Sequence, residues 1–231
     1  MTKKKIYVAI LNQGTSCSGL ETQLYTWMQE LADKYIYAYF PTKYAFRPIS
    51  NNRNRIVKDF LATDCEYLFM IDDDTFPTKN PLELIEQDKD VIGAIYPARD
   101  ERGIHFHIYK FDKDYPKKIS FDQYENDEIR GLTKIDAIGT GCICVRRNVL
   151  EKIKKPFEDW FDEDGIMITN DDLHFCHKCR QEGFEVWTHG DYMCSHYKTV
   201  DLLQMAHLLI RAKNVGREND KEGNSKIKRG K

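Results

Sequence analysis

Short apolar runs and helically spaced apolar positions alternate along the first hundred residues of this chain. Ile6–Leu11 is continuously apolar, as a strand covered on both faces would be. Leu20, Leu24, Trp27, Met28 and Leu31 recur at helical spacing within Gly19–Ala32. Tyr35–Phe40 is aromatic-rich and meets Pro41, which predicts a second strand. Ile56, Val57, Phe60 and Leu61 form one stripe of a helix over Arg53–Ala62. Tyr67–Ile71 reads as a third strand, Pro81–Gln87 as a short helix and Val91–Ile95 as a fourth strand. This order predicts an α/β fold, a Rossmann-like and mostly parallel sheet with flanking helices.

The second half is patterned differently. Ile104–Phe111 alternates loosely and suits an antiparallel strand, and Asp112–Asp127 is charged enough for an exposed loop or hairpin. Ile135–Ile138 and Cys142–Val145 are strands separated by Gly139-Thr140-Gly141. Asp171–Gln181 is a helix closed by Gly183, and Phe184–Thr188 a strand after it. Val200–Ala212 is an apolar-rich helix, buried against the domain or forming a homodimer contact through 200–212. From Arg211 onward eight basic residues face three acidic ones with little apolar content, so 213–231 is expected to be a flexible basic tail on a single domain over 1–212.

Composition narrows the classes. The 231 residues carry 35 Lys and Arg against 37 Asp and Glu, a net charge of -2, which excludes a globally basic nucleic-acid coat and an acidic solvating protein. No apolar run approaches ~18 residues, so no transmembrane helix is expected. Lys3, Lys4 and Lys5 before Ile6–Leu11 resemble the start of a signal peptide, but the run is short and meets Asn12-Gln13-Gly14 without a small-residue cleavage pattern. Seven scattered cysteines, an odd number, suit reduced thiols and a cytoplasmic location.

The chemistry concentrates in Asp72-Asp73-Asp74, which follow the apolar run of the third strand. Neighbouring carboxylates repel and lose hydration beside a buried strand, and a divalent cation resolves both problems. Alternation along an extended segment lets Asp72 and Asp74 share one face. Ligands in open α/β sheets gather beyond the carboxyl ends of strands, where these residues fall. Oxygen ligands suit Mg²⁺ or Mn²⁺. A solvated acidic turn before Pro77 is the alternative.

Leu68–Pro77, LFMIDDDTFP, resembles the aspartate motif of GT-A-type glycosyltransferases, especially compact family-2-like members of bacterial and phage origin. Asn51–Leu61 is similar to their Arg-Asn helix, Ile138–Arg147 to their Gly-rich acceptor-side strand, and Asp171–Gly183 to their acidic helix start. His196 matches the late histidine that often completes the metal site. The resemblance covers roughly residues 5–200, with the motifs in the family's order.

That resemblance implies transfer of a sugar from a nucleoside-diphosphate donor to a hydroxyl acceptor. Asp74 and His196 would hold the metal, with Asp72 direct or through water, and the imidazole favours Mn²⁺ over Mg²⁺. Asp73 would lie near the ribose, Arg53 at the nucleotide, and Asn12 and Gln13 near the base. Arg99 would face donor, acceptor or solvent, and Arg55 either the nucleotide or solvent. Asp172 would be the general base of an inverting transfer. Asp171 stands where the family usually has Glu, and either aspartate could instead cap its helix. The family often reads uracil with an acidic residue after the second strand, but this chain has Phe40-Pro41-Thr42 there, so UDP is a default donor. The acceptor is left open among a glycan, a lipid-linked sugar, a protein and a modified DNA base. Three readings compete with this one: a metal-dependent nucleotidyltransferase, a non-catalytic glycan- or nucleic-acid-binding module, and structural zinc on Cys142, Cys144, Cys176 and Cys179.

Overall fold

The structure is a computed structural model and describes residues 3–12, 19–41, 48–100, 103–112, 121–124, 128–198, 205–207 and 209. The chain divides into a unit 1–197 and a unit 198–231. Most of the expected 200–212 helix, all of the expected 213–231 tail and the boundary between them lie outside the described residues.

The first half runs β1 (Lys4–Leu11), α1 (Leu20–Glu30), β2 (Tyr35–Pro41), α2 (Ile49–Leu61), β3 (Tyr67–Asp72), β4 (Thr75–Pro77), a 3₁₀ helix (Pro81–Gln87) and β5 (Val91–Ile95). Next come β6 (Pro97–Asp100), β7 (Gly103–Phe106), β8 (Ile108–Phe111), β9 (Phe121–Gln123), β10 (Leu132–Ile135), β11 (Ala137–Ile138) and β12 (Cys142–Arg146). The remainder is α3 (Arg147–Lys152), β13 (Trp160–Phe161), β14 (Met167–Thr169), α4 (Asp171–Gln181) and β15 (Val186–His196).

The main sheet has the order β10-β15-β5-β12-β3-β1-β2, with β4 paired to β15. β1, β2, β3, β5 and β15 run one way; β12 runs antiparallel to both its neighbours, and β10 antiparallel to β15. The result is the expected α/β fold with a mixed, mostly parallel sheet. Alternation along β3 sends Leu68 and Met70 to one face, against Ile56 and Phe60 of α2 and Phe175 of α4. Phe69 and Ile71 face the other way, against Leu20, Leu24 and Trp27 of α1 and Leu82 and Ile85 of the 3₁₀ helix. β12 is buried throughout Cys142–Val145, as a strand wedged between two others must be.

Three expected elements differ. Ile104–Phe111 is two strands, β7 and β8, divided at His107, whose side chain turns to bond Tyr96. Ile135–Ile138 is divided at Asp136, whose carboxylate accepts from the Phe111 N–H at 2.8 Å and pairs with Arg180. β10 and β11 therefore join different sheets. The expected strand Phe184–Thr188 begins at Val186 and continues to His196, because its far end pairs with β4. The zinc alternative fails on the sheet's geometry: Cys142 and Cys144 lie in the core cluster of one face, Cys176 and Cys179 in that of the other.

Candidate active site

The aspartate triplet sits at the C-terminal end of β3, and its backbone is fixed from three directions. The Asp72 N–H donates to Gly141 O at 2.8 Å, the Asp73 N–H to Leu11 O at 2.9 Å, and Asp74 O accepts from the Tyr197 N–H at 2.8 Å. The loop before β12, the end of β1 and the end of β15 thus meet at one point.

Two clusters form there. In the first, Arg53, only 3% exposed, joins three carboxylates. Its Nη1 donates to Asp171 Oδ2 at 2.7 Å and Asp172 Oδ1 at 2.5 Å, and its Nη2 lies 3.3 Å from Asp72 Oδ2. Its Nε is buried without a hydrogen-bond partner among the described residues. Asp172 Oδ1 also accepts from the Thr140 hydroxyl at 2.5 Å. Burial pushes the Asp72 carboxyl up to about 6, against the pull of Arg53. Asp171 moves upward by burial and by the neighbouring Asp172. Asp172 is desolvated as well, yet Arg53, His107 and Thr140 together hold it below the ordinary carboxylate range. Of the three carboxylates around this guanidinium, Asp172 is therefore the one that stays ionised most readily.

The helix-cap alternative for the aspartates does not hold. Asn170 occupies the N-cap and its side chain accepts from the Leu173 N–H at 3.3 Å. Asp171 and Asp172 point instead to Arg53.

In the second cluster, His196 and Asp74 face each other with Nε2 3.4 Å from Oδ1. His196 Nδ1 is 2.7 Å from the Pro97 carbonyl, which requires the proton on Nδ1. The other ring nitrogen, Nε2, is therefore the one that faces the Asp74 carboxylate. An imidazole nitrogen and a carboxylate oxygen facing each other are a donor set that suits a divalent cation of the Mn²⁺ type. Asp72 is near enough for Asp74 to push its carboxyl upward, but its carboxylate accepts from Arg53. Among the described residues no group of three or more His, Cys, Asp or Glu side chains is arranged to hold a metal ion.

The sequence reading missed Tyr96, His107 and Thr140. Tyr96 follows β5 directly, the same strand-end position that marked the aspartates, and this was the available signal. Its oxygen accepts from the Gly141 N–H at 3.1 Å and lies 2.9 Å from His107 Nδ1. Its ring stands edge-on to His196 with centroids 5.1 Å apart. A Cβ on Gly139 would come within 2.1 Å of both the Tyr96 oxygen and His107 Nδ1, so glycine is needed for this packing.

The other expected residues scatter. Arg53, expected at the nucleotide, spends its donors on carboxylates. Asp73, expected near the ribose, is buried at the end of β1 beside the half-buried Asn12. Arg99 is exposed on β6, Arg55 is exposed on α2, and Gln13 lies outside the described residues.

No family model matches this sequence, and no curated protein does either. Among solved structures, A197 from STIV superposes with a TM-score of 0.52 at 16% identity, covering 85% of this chain and 86% of that one. The two chains share a fold. GalNAc-T7 with UDP, GalNAc and Mn²⁺ matches at a TM-score of 0.48 and 10% identity, over 86% of this chain and 44% of that one. A Drosophila β1,4-galactosyltransferase 7 mutant in complex with manganese, UDP-Gal and xylobiose matches at 0.47 and 15%, over 85% and 71%.

Proposed function

We propose that the chain is a metal-dependent glycosyltransferase that moves a sugar from a nucleoside-diphosphate donor, UDP-linked by default, to a hydroxyl acceptor with inversion. The observation that carries this reading is the convergence at the end of β3. An Asp–His pair, Asp74 and His196, stands on one side, and Asp172, held by Arg53 and Thr140, on the other.

Asp74 and His196 would hold Mn²⁺ or Mg²⁺, with Asp72 taking part through water. The metal, when bound, neutralises charge that develops on the departing diphosphate. Asp172 accepts the acceptor hydroxyl's proton as that oxygen forms its bond to the anomeric carbon and the bond to the diphosphate breaks. Arg53 positions Asp172 and keeps it ionised. Asp171, on the same guanidinium, balances the buried cation. Tyr96 and the glycines beside it brace the Asp172 side against the His196 side.

The test is release of nucleoside diphosphate from a panel of nucleotide sugars, with Mn²⁺ and with excess EDTA. Release from at least one donor that stops in EDTA and returns with Mn²⁺ is expected. Full turnover in EDTA, or no release from any donor, contradicts the reading.

A further inference from the structure

The β13–β14 hairpin shows apolar side chains to solvent without covering them. Phe161, Ile166, Met167 and Ile168 are 52%, 66%, 55% and 41% exposed, and all eight positions from 161 to 168 are exposed. Apolar side chains left in water lose the free energy that burial would release, so a contiguous exposed set marks a contact surface rather than scattered surface residues.

The hairpin holds this face ready. Asp162 Oδ1 accepts from the N–H groups of Asp164 at 3.0 Å and Ile166 at 2.8 Å, and the Asp162 N–H donates to Ile166 O at 2.9 Å. Gly165, at φ +78°, supplies the left-handed residue of the turn. At the hairpin's base Trp160 stacks on His174 of α4, ring centroids 4.9 Å apart. Only Asn170 separates β14 from Asp171, so the face lies beside the proposed base.

Charge selects the occupant. Glu163 and Asp164 are exposed and carry no ion pair among the described residues, and no Lys or Arg occurs between 156 and 177. Carboxylates repel anionic lipid and nucleic-acid phosphate, and they repel the same face of a second copy. Of the four side chains only Phe161 is a ring, and Ile166, Met167 and Ile168 offer aliphatic contact rather than a flat platform for sugar rings.

We propose that this hairpin docks a polypeptide segment bearing basic and apolar side chains. In calling that polypeptide the carrier of the acceptor hydroxyl, the inference rests on the transferase reading above; the docking itself does not. Its apolar residues would cover Phe161, Ile166 and Met167 while its cations meet Glu163 and Asp164.

The test is fluorescence anisotropy on the full chain with three labelled peptides: a Lys/Leu amphipathic peptide, its Glu/Leu counterpart and a Lys/Ser control. The Lys/Leu peptide is expected to bind best, and less tightly as salt rises. Phe161→Ser with Met167→Ser is expected to weaken it by about tenfold or more. Glu163→Gln with Asp164→Asn is expected to weaken it and flatten its salt dependence. Both changes fall at exposed positions and are expected to leave the circular dichroism and melting curve unchanged. Asp172→Asn is expected to bind the peptide as the wild type does. Equal binding by the hairpin variants overturns the proposal, as does preference for the Glu/Leu peptide or for phosphatidylcholine or phosphatidylserine vesicles. A wild-type dimer that Phe161→Ser dissolves overturns it too, since the face then belongs to a second copy. Peptide binding without any nucleotide-sugar turnover would instead overturn the transferase reading and leave the docking standing.

Discussion

Arg53 Nη1 donates to Asp172 Oδ1 at 2.5 Å, and the same nitrogen reaches Asp171 Oδ2 at 2.7 Å. One buried guanidinium therefore ties α2 to the start of α4 and, through Nη2, to the end of β3. Removing the cation would leave three carboxylates in a buried site. Arg53→Ala is expected to destabilise the protein by about 3–5 kcal/mol, the cost of breaking a buried ion pair on one side. Urea denaturation checks it, and a loss below about 1 kcal/mol would show that the cluster is not held as described.

His196→Ala is expected to weaken Mn²⁺ binding and transfer together, because the imidazole nitrogen facing Asp74 is lost. Asp74→Ala is expected to abolish both while the fold survives. Titration calorimetry with Mn²⁺ alone provides a readout independent of turnover. Unchanged Mn²⁺ affinity in both variants would remove these residues from any metal site.

Gly139→Ala places a methyl group 2.1 Å from the Tyr96 oxygen and His107 Nδ1. Overpacking of this kind costs about 1–3 kcal/mol. The melting temperature is expected to drop accordingly, and Tyr96→Leu in the same chain is expected to recover part of the loss. A Gly139→Ala variant as stable as the wild type would mean that the Tyr96 packing yields freely.

Burial pushes His107 down to about 4 and His177 down to about 4. Both are neutral in the folded chain near pH 5, whereas an unfolded histidine takes a proton below about 6.5. At these two sites the unfolded state then binds more protons, so their contribution to stability is fully present above pH ~6.5 and falls as pH drops toward ~4, while Asp72 and Asp171, pushed upward by burial, act in the opposite sense over the same window. The melting temperature of His177→Gln is therefore expected to rise relative to that of the wild type as pH falls across that window. A difference between wild type and His177→Gln that stays constant from pH ~6.5 to ~4.5 would contradict the buried environment of His177.

The reach of the sequence divides along local and non-local lines. β1, β2, β3 and β5 were legible because each is a short apolar run bounded by polar or turn residues. That β12 would insert between β3 and β5 was not legible, since strand order depends on which surfaces pair rather than on periodicity. Asp72, Asp74 and His196 were readable as residue types at a strand end, but only the folded chain places His196 on Asp74 while Asp72 turns to Arg53. Arg53 itself reads in sequence as a cation for an anionic ligand. Its carboxylate partners lie 19, 118 and 119 residues away, too far for any spacing rule. Asn170 was overlooked as the cap because the two aspartates after it carry the stronger electrostatic preference for a helix start. Tyr96 and His107 gave no sign beyond position, since nothing in an isolated Tyr-Pro or a lone histidine specifies a buried contact.

The central claim is tested most directly by the rate of sugar transfer in Asp172→Asn. Asparagine keeps the shape and can still meet Thr140 and Arg53, but it cannot take a proton. With a donor that the wild type cleaves, transfer is expected to fall by about 10²–10⁴-fold while donor affinity stays nearly constant, and the wild-type product is expected to carry an inverted anomeric centre. Transfer by Asp172→Asn within a few-fold of the wild type, or a retained anomer in the wild-type product, would contradict the account.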